Sequence, residues 1–173
     1  MTSIKAIKGD ITLQAVDVIV NNASPTLLGG GGVDGAIHEA AGPALLEECR
    51  SLGGCRTGEA KITRGYNLPA KYVIHTVGPV YGRENGLEAE LLANCYKNTL
   101  RLAKDHSLKT LAFPAIATGI YGYPIEEAAK VAVKAVREFV ALHDFFTEII
   151  FVLYTDYDHK VYEEELKNAI LIN

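Results

Sequence analysis

With 173 residues, 49% of them apolar, and a formal net charge of −4, the chain is long enough to build a full core as one domain over 1–173. The acidic balance excludes a broad basic surface for duplex nucleic acid, because that binding mode rests on many lysine and arginine contacts to phosphate. A site for a single nucleotide stays open, since backbone N–H groups hold an anion without cationic side chains.

The apolar segments are too short to cross a bilayer, and Met1-Thr2-Ser3-Ile4-Lys5 lacks the apolar core of a signal peptide. The expectation is a soluble, cytoplasmic protein with no membrane partner. Cys49, Cys55 and Cys95 are odd in number and show neither CxxC nor Cys/His ligand spacing. They argue against a disulfide framework and a zinc site and read as buried thiols. No metal or cofactor is expected.

In chain order, Ile4 to Lys8 and Val16 to Asn21 read as strands. The run Leu27-Leu28-Gly29-Gly30-Gly31-Gly32-Val33-Asp34-Gly35 then enters an alanine-rich helical pattern from about Asp34, as its cap, to Leu52. Glycine lets backbone N–H groups approach a ligand where a Cβ would clash, and the helix behind adds free N–H groups and its positive dipole end. The run therefore reads as a phosphate cradle. A flexible linker would be Gly/Ser-rich on both flanks, whereas leucines and a helix start bracket this one.

Glu59 to Arg64 alternates like a half-buried strand, and Tyr72 to Val77 is a more continuous apolar one. A helix from about Leu87 to His106 precedes a strand over Lys109 to Pro114. Next, Thr118-Gly119-Ile120-Tyr121-Gly122-Tyr123-Pro124 opens a helix ending near His143, with Pro124 in the first turn, where its missing N–H costs nothing. A strand over Glu148 to Tyr154 and a helix from about Asp158 to Ile170 close the chain.

This alternation implies an α/β domain with a largely parallel sheet. The loop-joined strands at Glu59 and Tyr72 make the sheet mixed. Ligands bind such sheets at the carboxyl ends of strands, where two glycine-rich loops, Gly29 to Gly35 and Ala117 to Gly122, each lead into a helix. A pair of cradles suits a diphosphate. A P-loop is excluded because no GK[ST] follows the glycines. Gly30, Gly32 and Gly35 satisfy GxGxxG, but the acid that would complete an NAD site about twenty residues on is replaced by Gly54-Cys55.

Gly9-Asp10-Ile11-Thr12, Ile19-Val20-Asn21-Asn22-Ala23, the Leu28 to Gly35 loop, Ile37-His38-Glu39-Ala40-Ala41-Gly42, Leu68-Pro69-Ala70-Lys71, His75-Thr76-Val77-Gly78-Pro79 and Gly119-Ile120-Tyr121-Gly122-Tyr123-Pro124 occur in that order. Together they resemble a macrodomain of the MacroD type across nearly the whole chain. The resemblance implies a three-layer α/β/α sandwich around a central mixed, largely parallel sheet. It also implies a crevice for ADP-ribose, and in many members hydrolysis of mono-ADP-ribose from acidic side chains or deacetylation of O-acetyl-ADP-ribose. ADP-ribose and ADP-ribosylated proteins are the implied partners.

Carried onto matching positions, the resemblance gives Asp10 the adenine amino group, with the Ile11 backbone beside it. Alone, Asp10 reads as a turn or cap aspartate. Gly31, Gly32 and Val33 would line the first phosphate loop, and Thr118, Gly119, Ile120, Tyr121 and Gly122 the second. Tyr121 would also pack on the distal ribose, and Tyr154 would stack on adenine or, read alone, pack in the core. Asn21 would position the distal ribose. Asp34, ten residues after Ser24, matches the catalytic aspartate and would orient a water held between the diphosphate and the distal ribose for attack on the ester carbonyl. His38, one turn later on the same face, would support it by a hydrogen bond. Ser24 departs from the family, whose hydrolases usually carry Asn there, and a hydroxyl offers one donor where an amide offers two. Two functions follow: a hydrolase using Asp34, Ser24 and Asn21, or a reader that binds ADP-ribose and releases it intact.

Overall fold

A computed structural model describes residues 1–172, with side chains through residue 168; Asn173, the last residue of the expected domain, lies outside the described residues. The strands are β1 (Ser3–Lys8), β2 (Val18–Asn22), β3 (Ala60–Arg64), β4 (Tyr72–Thr76), β5 (Thr110–Phe113) and β6 (Glu148–Leu153). They form one sheet in the order β1-β6-β5-β2-β4-β3. Every pairing is parallel except β3 with β4, which a short loop joins. The mixed sheet thus agrees with the sequence reading.

The helices are α1 (Gly32–Ala41), α2 (Pro43–Leu52), α3 (Glu88–Asp105), α4 (Ile125–Leu142) and α5 (Asp156–Ile172), and a 3₁₀ turn spans Ile11–Leu13. Alternation along β2 shows how the layers form. Val18 and Val20 join a buried cluster with Leu92 of α3, Ala132 of α4 and Tyr162 of α5. Ile19 faces the other way, among Ile37 of α1 and Leu45 and Cys49 of α2. Both faces of the sheet are therefore buried, which is the three-layer sandwich that the resemblance implies.

Three local expectations need correction. The helix expected over Asp34 to Leu52 is two helices, because Gly42 takes φ 89° and Pro43 starts the second. Proline has no N–H with which to continue the first ladder. Asp34 does not cap α1: it is the helix's third residue, Gly31 holds the cap position, and no side chain caps that end. Pro124 stands just outside α4, which starts at Ile125.

Candidate functional site

Because β1, β6, β5 and β2 are adjacent and parallel, their carboxyl ends share one edge of the sheet. A crevice of about 730 Å³ runs along it. Each strand hands over residues to its wall: Gly9, Asp10 and Ile11 after β1, Tyr154 after β6, Thr118 to Tyr121 after β5, and Asn22, Ser24 and Gly30 to Asp34 after β2. The two glycine-rich loops thus face one space. Among the described residues, the amides of Gly30, Gly31, Thr118, Gly119 and Ile120 find no protein acceptor.

A residue in the left-handed region enters each loop, Leu27 at φ 63° and Ala117 at φ 68°. That conformation costs a non-glycine residue roughly 1–2 kcal/mol, so the surrounding packing imposes it. Leu27 is 1% exposed, and its N–H donates to the Ser24 carbonyl at 3.0 Å. The Ala117 carbonyl accepts from Tyr123 N–H at 3.0 Å, and Gly122 N–H donates to the Gly119 carbonyl at 3.0 Å. Glycine is required at position 35, where a Cβ would lie 2.6 Å from the Gly30 carbonyl oxygen.

Asp34 is 5% exposed and sits behind the first loop. One oxygen, Oδ1, accepts from Asn21 Nδ2 at 2.9 Å and lies 3.4 Å from His38 Nε2. The His38 approach falls short of hydrogen-bond geometry, and Nε2 has no partner. The other oxygen, Oδ2, turns toward Gly30, where a Cβ would lie 3.1 Å from it. Loop, carboxylate and helix start are therefore packed as one unit.

At the far end, Asp10 Oδ1 accepts from both the N–H and the hydroxyl of Thr12, at 2.9 and 2.7 Å. It caps the 3₁₀ turn and lines the crevice at once, so the two readings of Asp10 are compatible. Tyr154 is 84% exposed and lines the crevice, which rules out core packing for it. Ser24 also lines the crevice, yet its hydroxyl is turned to its own loop, 3.2 Å from Thr26 Oγ1 and 3.4 Å from the Gly29 carbonyl.

Asn21, His38 and Gly122 are not among the lining residues. Asn21 is wholly buried beneath the crevice, because it follows Ile19 on the α1/α2 face of β2. Its neighbour Asn22 points to the opposite face and lines the crevice; the strict alternation of a strand is the signal that would have found it. Asp158, in the first turn of α5, also lines the crevice unforeseen, and burial raises its carboxyl above the usual range. Among the described residues no three His, Cys, Asp or Glu side chains gather as a metal site. The three cysteines are free and buried, and no described helix is long and apolar enough to cross a membrane.

Fold and site together define an α/β/α domain with an amide-lined crevice at the carboxyl edge of its sheet. The Macro domain family pattern matches residues 20–132. A Macro domain-containing protein of Chlorobaculum tepidum, CT2219, is 61% identical over 163 residues, covering 94% of this chain and 95% of that one. Human ADP-ribose glycohydrolase MACROD2 is 54% identical over 168 residues, covering 96% of this chain but only 40% of its own length. An Oceanobacillus iheyensis macrodomain with ADP superposes with a TM-score of 0.94 at 45% identity, covering 97% of this chain and 92% of that one. The chain belongs to the Macro domain family.

Proposed function

We propose that the chain binds ADP-ribose in this crevice and hydrolyses mono-ADP-ribose from acidic side chains of ADP-ribosylated proteins, with O-acetyl-ADP-ribose as a second acyl substrate. The observation that carries the reading is the convergence of two amide-rich loops on one crevice in front of the buried Asp34. The relatives named above support it: one is called an ADP-ribose glycohydrolase, and another was solved with ADP.

Energetics divides the work along the crevice. Four N–H groups donating to a charged diphosphate supply roughly 6–12 kcal/mol at about 1.5–3 each, less at least about 4 for association. Micromolar affinity needs about 8 kcal/mol, so the loops alone are marginal. The adenosine end must supply the rest. Tyr154 offers a ring face to adenine and Asp10 an acceptor to its amino group. The distal ribose then lies toward Ser24 and Asp34. There, a water between diphosphate and ribose attacks the acyl carbonyl, with Asp34 orienting it and taking its proton; the bond between the acyl carbon and the ribose oxygen breaks, and that proton passes to the departing ribose oxygen, leaving a free carboxylic acid and ADP-ribose. The three free, buried thiols fit a reducing, cytoplasmic setting.

The turned hydroxyl of Ser24 favours a second reading, a binder that releases ADP-ribosylated proteins intact. Titration with ADP-ribose in a calorimeter tests the shared premise, and its failure removes both readings. Incubating a mono-ADP-ribosylated acidic peptide with the parent and with Ser24→Asn separates them. Turnover by both supports the hydrolase, whereas turnover by the variant alone, or by neither, supports the binder.

A further inference from the structure

Behind Asp34 a line of buried polar groups crosses the sheet. In the β2/β4 pairing Asn21 stands opposite His75, and Thr63 of β3 lies on the other side of the His75 ring. The Asn21 amide, which donates to the Asp34 carboxylate, sets the direction of the bonds behind it. The Thr63 hydroxyl has the Arg64 carbonyl at 3.2 Å as acceptor for its own proton, which leaves its oxygen free to accept from His75 Nε2–H at 2.9 Å; Cys49 Sγ lies 3.8 Å from the same nitrogen. His75 Nδ1 is then bare and accepts one Asn21 Nδ2 proton at 3.1 Å, while the other proton goes to Asp34 Oδ1 at 2.9 Å. Turning the amide over would set its carbonyl against a carboxylate oxygen and leave Nδ1 without a donor.

Asn21 is 0% exposed, and its own Oδ1 has no partner. Only the two Nδ2 bonds offset that buried orphan acceptor and hold the amide in its orientation. Burial, with His38 as a lesser cause, keeps the His75 imidazole neutral by pulling its pKa down to about 3. A neutral ring is what an acceptor at Nδ1 requires.

We propose that His75 is a positioning residue for hydrolysis: by accepting one Asn21 proton it aims the amide that holds Asp34 toward the attacking water. The inference rests on the reading of Asp34 given above. His75 touches no substrate and does not line the crevice.

The contrast between His75→Leu and His75→Asn tests it, because an asparagine carbonyl stands near the Nδ1 position and restores the acceptor, whereas leucine fills space alone. Kinetics are read in the Ser24→Asn background, so that slow parental turnover masks nothing. His75→Leu is expected to lower kcat about 10- to 100-fold, with KM and the ADP-ribose Kd within about threefold of the reference, and His75→Asn to recover most of kcat. A purely structural role would instead weaken Kd and kcat together in both variants, and that pattern overturns the proposal.

Nitrogen-15 NMR of the protein without ligand gives a second readout that needs no turnover. It is expected to show His75 as the Nε2–H tautomer and slowly exchanging Asn21 side-chain amide protons that are lost in His75→Leu and kept in His75→Asn. An Nδ1–H tautomer, or Asn21 amide signals unchanged in His75→Leu, overturns the positioning role. Failure of the parent to bind ADP-ribose would instead strike the functional reading, with the NMR result still deciding whether His75 holds Asn21.

Discussion

Gly78 lies against Ala117: a Cβ at Gly78 would fall 2.8 Å from Ala117 Cβ and 3.0 Å from Ile116 Cγ2. The second loop can enter the crevice at its left-handed Ala117 only because the segment after β4 carries no side chain there. Gly78→Ala must push the loop outward or strain it, at about 1–3 kcal/mol for such overpacking. The expected outcome is a lower urea midpoint and weaker ADP-ribose binding by calorimetry. Unchanged affinity would show that the loop absorbs the methyl without moving its amides.

That contact joins residues 39 apart in sequence, and distance of this kind separates what was legible in the chain from what was not. Both loops could be read because their chemistry is local: glycines followed by a helix start. The sheet could be read from the apolar runs. The break at Gly42-Pro43 was hidden because Ile37, Ala41, Leu45 and Cys49 keep a buried i, i+4 stripe running through it. The resemblance assigns Asn21 to the distal ribose, and the sequence does not show which strand pairs beside β2. Once β4 sets His75 opposite it, both its protons are committed within the protein.

At the β1 end of the crevice, Asp10 uses one oxygen to cap its own turn, which makes Asp10→Ala an ambiguous probe. Asp10→Asn keeps a carbonyl for Thr12 and places an N–H donor where the second carboxylate oxygen was. If that oxygen receives the adenine amino group, Asp10→Asn weakens ADP-ribose binding about 10-fold or more, the worth of one hydrogen bond to a charged group. Asp10→Ala is expected to do the same while also losing about 1 kcal/mol of cap stability. Equal calorimetric affinities for parent and Asp10→Asn would remove Asp10 from adenine recognition.

His75 also leaves a mark on stability. Burial above all, and then the nearby His38 ring, lower its folded pKa to about 3, against a usual value of 6.5. Between these limits the unfolded chain binds one proton more than the folded one, so stability falls as the pH drops below about 6 and is flat for this residue above it. The slope is about 1.4 kcal/mol per pH unit. Urea unfolding of the parent at several pH values between about 4 and 7 is expected to show this loss, and His75→Leu a slope shallower by one proton. Identical slopes would place a charged His75 in the fold.

Asp34 offers the sharpest test of the chemistry, because its charge and its shape can be separated. Asp34→Asn keeps an oxygen for the Asn21 amide but cannot take a proton from water. The expected outcome is a fall in kcat of about 100-fold or more on a mono-ADP-ribosylated glutamate peptide. ADP-ribose binding is expected to hold or tighten, since a negative charge beside the diphosphate is gone. Turnover in oxygen-18 water identifies the atom attacked: label in the freed glutamate carboxylate marks the acyl carbonyl, as proposed here. Label confined to the sugar product would move the attack to the anomeric carbon of the distal ribose and recast Asp34 as the base for a glycosidic cleavage.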